Sequence, residues 1–165
     1  MIMMSRIFTI EGNIGSGKST FVKNLQHWFK SNYPNKKVVF LQEPVDEWVS
    51  IKDTNDETII EKFYKDQKTY AFSFQMMAYI SRLAIIKKAV EENPGAIIIT
   101  ERSLYTDKEV FAKMLYEDSK IDDVQYQIYL KWFDFFQKEY PLTGIIYLST
   151  DYKTCFNRIE LRDRD

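Results

Sequence analysis

Eight residues limit what this chain can fold into more than any other stretch. Gly12-Asn13-Ile14-Gly15-Ser16-Gly17-Lys18-Ser19 fits the pattern G-x-x-x-x-G-K-[ST]. Arg6 to Glu11 (RIFTIE), rich in β-branched and aromatic residues, precedes it as a strand. From Lys18 to Asn32 the apolar residues Phe21, Val22, Leu25, Trp28 and Phe29 follow the i, i+3, i+4 rhythm of one helix face, and Pro34 lies just past its end. Strand, glycine-rich loop and helix in that order make a P-loop. Three of the chain's five glycines stand here, where backbone N–H groups must approach phosphate oxygens with no Cβ in the way. Lys18 can reach the β- and γ-phosphates, the Ser19 hydroxyl can ligate Mg²⁺, and the helix N-terminus adds partial positive charge. The motif says nucleoside triphosphate, with Thr20 continuing the binding segment; it does not say what is done with the nucleotide.

The pattern then alternates between strand-like runs and helical periods. Lys37 to Gln42 (KVVFLQ) reads as a second strand, stopped at Glu43-Pro44. Thr54 and Glu57 have capping-box spacing ahead of Ile59, Ile60, Phe63 and Tyr64. Phe72 to Glu92 reads as a long helix with Met76, Tyr79, Ile80, Leu83 and Ile86 inward, ended by Asn93-Pro94-Gly95. Ala96 to Thr100 (AIIIT) suits a central parallel strand buried on both faces. Thr106 and Glu109 form a second capping-box candidate. Val124 to Tyr140 is apolar over more than one face, so it lies deep in the domain or packs against another chain. Gly144 to Ser149 (GIIYLS) is a fourth strand, and Asp151 to Arg164 a final helix. The order β-α-β-α-α-β-α-α-β-α predicts an α/β fold with a parallel sheet and helices on both faces. No linker interrupts it, so a single domain over residues 1–165 is expected.

Composition narrows the function. Twenty-three basic against 24 acidic side chains argue against a dedicated nucleic-acid wrapper, which needs a basic surplus. One cysteine, Cys155, excludes an internal disulfide framework, and one histidine, His27, excludes a histidine-cluster metal site. Both read as structural residues. No apolar run approaches the about 18–20 residues of a membrane span. The start of the chain carries no signal-peptide pattern, so the expected address is the reducing cytoplasm.

Ligands of open parallel sheets bind beyond the carboxyl ends of the strands. Two strands end there in a carboxylate, Glu43 and Glu101, and no cap is called for at either point. Glu101 occupies the place where P-loop enzymes carry a Mg²⁺-linked acid, and Glu43 could be a base near a second substrate. Arg102 follows Glu101 directly. Arg158, Arg162 and Arg164 cluster near the end of the sequence, the first two i, i+4 on one helix face. Phosphoryl transfer needs such positive charge around the migrating group.

Taken together, Ile10-Glu11-Gly12-Asn13-Ile14, Glu43-Pro44-Val45, Phe72-Ser73-Phe74-Gln75, Ser81-Arg82, Glu101-Arg102-Ser103 and Arg158 through Arg164 resemble the deoxyribonucleoside kinase family, in order and spacing, over nearly the whole chain. Its members are the deoxycytidine, deoxyguanosine, deoxyadenosine and mitochondrial-type thymidine kinases. The resemblance implies a three-layer P-loop kinase fold and a Mg·ATP-dependent kinase of deoxyribonucleoside salvage, commonly a homodimer built on a helix bundle. It implies that Glu43 is the general base on the nucleoside 5′-hydroxyl, that Arg102 holds that hydroxyl and the base, and that Glu101 is the Mg²⁺-linked carboxylate. Gln75 resembles the amide that reads the nucleobase edge, Phe74 and Phe111 the rings that sandwich it, and Tyr64 the tyrosine on the sugar 3′-hydroxyl. Arg158, Arg162 and Arg164 resemble lid arginines. Family members continue past the lid with a 3′-hydroxyl carboxylate, a fifth strand and a closing helix. The expectation is that the sequence stops within the lid region and that these 165 residues alone are weakly active or inactive, and prone to associate.

Arg82 lies two helical turns after Gln75, and Asp107 is the available partner for it if it is buried. This pair resembles the deoxycytidine and deoxypurine kinases rather than the thymidine-accepting members, because it fills the space of a thymine C5-methyl. The expected acceptors are deoxyguanosine, deoxyadenosine or deoxycytidine ahead of thymidine. A nucleoside monophosphate kinase is the same-fold rival, and a non-catalytic nucleotide-binding subunit the rival from another class. A GTPase is disfavoured, since Asn35-Lys36-Lys37-Val38 lacks the aspartate of the guanine-reading motif.

Overall fold

The computed structural model describes residues 5–161. It contains two compact units. The first takes the chain to Gln42, Ala89–Ser103 and the part from Leu142 on; the second takes Glu43–Lys88 and Leu104–Pro141.

The first unit is built on a four-stranded parallel sheet in the order β2-β3-β1-β4. Its strands are β1 (Arg6–Glu11), β2 (Val38–Leu41), β3 (Ile97–Glu101) and β4 (Leu142–Tyr147). All four expected strands are present, flanked by helices, so the α/β class holds. Three shift by one or two residues: β2 starts at Val38, β3 runs on to Glu101, and β4 starts at Leu142 and ends at Tyr147. The central strands, β1 and β3, pair in simple register from Arg6↔Ile97 to Ile10↔Glu101. Between β1 and β4 the register slips after Ile7, which pairs with Leu142 while Phe8 pairs with Gly144. Thr143 is the extra residue, and its hydroxyl accepts the Ile7 N–H at 3.1 Å, so the slip leaves that donor satisfied. Helix α1 (Lys18–Asn32) covers the sheet through Val22, Phe21, Leu25 and Phe29, packed with Ile10, Ile99 and Phe40.

The second unit is helical. It holds α2 (Val45–Ser50), α3 (Ile59–Lys65), most of α4 (Gln67–Glu92), α5 (Leu104–Thr106), a π-helical segment (Asp107–Ala112), α6 (Lys113–Glu117) and α7 (Asp123–Phe136). Its core includes Phe63, Ala71, Leu115 and Ile121, with Phe72 and Phe74 packed against them.

Several expectations need correction here. The capping box of α3 is Thr58 with Glu61, not Thr54 with Glu57. The Asp53 carboxylate takes the N–H groups of Asn55 and Glu57, so this stretch forms a turn ahead of the helix. Thr106 caps nothing: it is itself helical and the chain passes straight into the π segment. Helix α4 starts at Gln67, five residues before Phe72, because the Asp66 side chain accepts the Thr69 N–H at its N-terminus. Ile80 is exposed, since α4 buries the line of Tyr79, Arg82, Leu83 and Ile86 and leaves Ile80 and Ala84 outside. The two-faced helix ends at Phe136 rather than Tyr140; Tyr129 and Phe133 point inward while Val124, Ile128, Trp132 and Phe135 are exposed. Within the first unit, α8 (Tyr152–Glu160) stands where the final helix was expected. His27 is exposed and Cys155 buried, as their structural readings required.

Candidate active site

The glycine-rich loop lies within the first unit. Gly12 and Gly15 have φ of 149° and 78°, values that side-chain-bearing residues rarely adopt. A Cβ on Gly12 would stand 2.8 Å from the Leu148 carbonyl, and one on Gly15 would strike the Cys155 carbonyl. Glycine is therefore required for the loop to nest against β4 and α8. Other bonds brace it: Thr150 Oγ1 donates to the Ser16 carbonyl at 3.1 Å, and Arg158 Nη1 to the Gly15 carbonyl at 3.3 Å. Asn13 and Ile14 form the exposed tip.

Lys18 is buried and donates to the carbonyls of Gly12 (3.1 Å) and Asn13 (2.8 Å), which holds its ammonium over the loop. The Ser19 hydroxyl donates to Glu101 Oε1 at 2.8 Å, so the two expected metal ligands already share one spot. Two hard oxygens there suit Mg²⁺, which binds through one or two protein oxygens with phosphates and water completing the shell. No group of three His, Cys, Asp or Glu side chains occurs among the described residues, and Mg²⁺ does not need one. Arg102 adopts a left-handed backbone (φ 64°), uncommon for a residue with a side chain. Its N–H donates to the Ile10 carbonyl at 3.0 Å, its carbonyl accepts from Thr100 Oγ1 at 2.8 Å, and its guanidinium reaches the Gly12 carbonyl at 3.4 Å. Strain held this firmly at a strand end belongs to functional sites more than to scaffolds. Beside the loop, a cleft of about 570 Å³ is lined by Ser16, Thr20, Asn24, Tyr147 and Arg158 among others, a nucleotide-sized space. Arg162 and Arg164 lie outside the described residues.

The second unit holds a separate set of the expected residues. Arg82, only 2% exposed, donates through Nε to Asp107 Oδ2 at 2.8 Å and through Nη2 to Glu43 Oε1 at 3.1 Å. Burial pulls this guanidinium's pKa down, but the charges of Asp107 and Glu43 outweigh it and hold it above the ordinary value. A solvated surface pair is thereby excluded for Arg82 and Asp107. Gln75, also buried, donates Nε2–H to the Asp107 backbone carbonyl at 3.0 Å. Phe74 stacks on Phe63 (4.6 Å between centroids, 17° between planes) and meets the edge of Trp48. Phe111 is half-buried on the π-helical segment, four residues after Asp107. Tyr64 is 58% exposed, edge-on to Phe63.

The expected residues thus fall into two sets: Lys18, Ser19, Glu101, Arg102 and Arg158 in one unit, and Glu43, Tyr64, Phe74, Gln75, Arg82, Asp107 and Phe111 in the other. The deoxynucleoside kinase family model matches residues 8–165. The chain belongs to the deoxynucleoside kinase family. Its relatives include human deoxycytidine kinase, 33% identical over 177 residues that make up 95% of this chain and 66% of that protein. The mitochondrial deoxyguanosine kinase of Xenopus laevis is 31% identical over 180 residues, 98% of this chain and 66% of that protein. A probable deoxycytidine kinase of fowlpox virus is 35% identical over 159 residues, 94% of this chain and 61% of that protein. The chain thus spans just under two thirds of the length of these relatives.

Some buried residues next to these positions escape a reading of the sequence. Trp48 is buried on α2, a helix that begins two residues after Glu43 and was not foreseen; its Nε1 donates to Ser81 Oγ at 2.8 Å and it braces Phe74. As expected, no side chain caps the start after Glu43: Pro44 stands at that position and makes no capping hydrogen bond. Glu11, buried at the end of β1, accepts from Thr9 Oγ1 at 2.8 Å. Trp48 had one usable signal: an amphipathic turn, Val45 to Trp48, directly after the strand-end carboxylate.

Proposed function

We propose that this chain phosphorylates the 5′-hydroxyl of a deoxyribonucleoside with Mg·ATP as donor, in nucleotide salvage, and that its residues act as one kinase domain. The observation that carries this reading is the Glu43–Arg82–Asp107 cluster, in which Arg82 and Asp107 are buried, together with Gln75 and the Phe74 ring, in a chain whose other unit holds a formed P-loop. Glu43 takes the proton of the 5′-hydroxyl as the 5′-oxygen forms its bond to the γ-phosphorus and the bond to ADP breaks. Lys18, Arg102, Arg158, Arg162 and Arg164 offset charge on the phosphoryl oxygens, and the P-loop from Gly12 to Thr20 binds the donor phosphates. Ser19 and Glu101 would hold Mg²⁺, which when bound neutralises charge on the phosphate oxygens. Phe74 and Phe111 stack the base, Gln75 hydrogen-bonds its edge, and Tyr64 meets the sugar 3′-hydroxyl.

Two carboxylates against one guanidinium give the acceptor cluster a negative sum, which repels an acceptor already bearing phosphate and disfavours a nucleoside monophosphate. The same cluster favours deoxyguanosine, deoxyadenosine or deoxycytidine over thymidine. A buried charged pair does not yield space to a methyl group without losing its hydrogen bonds. The exposed side of α7 supports a homodimer formed through helices, and a reducing, cytoplasmic setting fits a lone cysteine buried as a thiol. Replacing Glu43 by Gln is the test. A fall in kcat of about 10²–10⁴-fold with nearly unchanged nucleoside affinity is expected. An unchanged kcat, or an effect confined to KM, makes Glu43 an ordinary loop carboxylate.

A further inference from the structure

Lys62 has no part in the proposed reaction, yet its ammonium joins the loop before α3 to the helix after it. It stands 2.7 Å from Asp53 Oδ2 and 3.6 Å from Glu57 Oε2. It also donates to the Tyr70 hydroxyl of α4 at 3.5 Å, with the Tyr70 ring centroid 5.2 Å away. Asp53 serves both sides of this contact. Its Oδ1 accepts the N–H groups of Asn55 and Glu57 at 2.8 and 3.1 Å and so shapes the loop, while Oδ2 takes Lys62. The loop is closed at its root by the Lys52–Thr58 bridge and by the Ile59 N–H, which donates to the Ile51 carbonyl at 2.9 Å. It is an anchor rather than a slack connection. The Lys62 and Asp53 side chains are only 19% and 27% exposed, so solvent ions screen the pair weakly. Their shared hydrogen bond holds the Asp53 carboxyl below its ordinary pKa and the Lys62 ammonium above its own.

Helix α3 needs such an anchor. It has seven residues, about two turns, and a helix that short is not stable alone. Phe63 stacks on Phe74 at 4.6 Å between centroids, an apolar contact about which two turns of helix can rock. Lys62 and Tyr64 flank Phe63, each about 100° from it round the helix axis. A tie on the Lys62 side therefore fixes the angle at which Tyr64, 58% exposed and edge-on to Phe63, is presented on the other.

We propose that Lys62 is a positioning residue for Tyr64: the Asp53–Lys62–Tyr70 tie sets α3 so that the Tyr64 hydroxyl meets the 3′-hydroxyl of the acceptor sugar. The inference rests on the kinase reading and extends it to the sugar, where the tie separates acceptors that carry a 3′-hydroxyl from those that lack one. The reacting 5′-oxygen is elsewhere on the sugar, so this contact is the same before and during transfer. Such uniform binding is read in KM rather than in kcat.

The variant Lys62→Met keeps an apolar stem against Tyr70 and removes the ammonium. KM for deoxycytidine should rise by about 5-fold, the worth of one hydrogen bond, with kcat nearly unchanged, while KM for 2′,3′-dideoxycytidine should not move. In a Tyr64→Phe background the same substitution should leave both KM values as they are. Lys62→Arg, which still offers Asp53 a cation, should stay near the unmodified protein. Asp53→Asn keeps an oxygen for the loop N–H groups and loses the charge, so it should repeat the Lys62→Met pattern and serves in its place should that variant fold poorly. A readout independent of turnover is hydrogen exchange: the α3 amides should exchange faster in Lys62→Met and those of α7 should not. An equal rise in KM for both acceptors, a rise that persists without the Tyr64 hydroxyl, or α3 amides that ignore the substitution overturn the proposal. If the unmodified protein phosphorylates no deoxynucleoside, the kinase reading fails, and exchange in α3 alone then decides whether Lys62 holds the helix.

Discussion

Arg82 shows what one buried charge demands of its neighbours. With Asp107 on one side and Glu43 on the other, it is a compensated cation in a place where an uncompensated one would cost several kcal/mol. Replacing it by Ala strands Asp107, which is itself buried. The account predicts a loss of about 3–5 kcal/mol of stability, read by denaturant unfolding, with activity lowered on every nucleoside. Arg82→Met together with Asp107→Ala removes both charges and opens room for a methyl, so thymidine should gain relative to the other substrates. A double variant as damaged as the single one, with no gain for thymidine, contradicts the steric role. The Arg82–Asp107 pairing is legible in the sequence, because a helical position two turns from Gln75 demands a partner. The Glu43 contact is not, since it joins residues 39 apart and depends on how the chain leaves β2.

At the level of elements, local chemistry decides how much can be read. The strand β1 and the helix α1 fall at the boundaries their patterns dictate, because the glycine loop fixes one end of each. The start of α3 does not, because two Thr–Glu pairs compete and the choice depends on the Asp53 turn and on Glu57, which pairs with Lys62 and Lys65. Thr58 and Glu61 cap each other reciprocally. Thr58→Ala should therefore cost about 0.5–2 kcal/mol, and Thr54→Ala close to nothing. Equal effects in thermal unfolding would contradict the assignment. The π-helical segment from Asp107 to Ala112 has no sequence signature. Its extra residue per turn changes the spacing of Asp107, which carries the Arg82 and Gln75 bonds, and such segments concentrate at functional sites.

At the scale of the molecule, the alternation of patterns foretells a parallel sheet, but not its order, since β1 takes its place between β3 and β4 only through the crossovers. The apolar excess of α7 is likewise legible, and the structure divides it. Tyr129 and Phe133 serve the core, while Trp132 and Phe135 stay 45% and 66% exposed on the outer side. If the proposed homodimer forms through this face, Trp132→Lys with Phe135→Lys should lower the mass in sedimentation to that of a monomer with the fold intact, because the Tyr79 hydroxyl bonds the Trp132 backbone and not its ring. An unchanged mass would place any self-association elsewhere. The central claim, however, concerns transfer chemistry, and one measurement meets it directly: following the radiolabelled γ-phosphoryl group of ATP, with Mg²⁺, onto each of the four deoxynucleosides and onto thymidine monophosphate. The account predicts label in the 5′-monophosphates of deoxyguanosine, deoxyadenosine or deoxycytidine, less in that of thymidine, and none on the monophosphate acceptor. Label on the monophosphate alone, or on no acceptor at all, would contradict it.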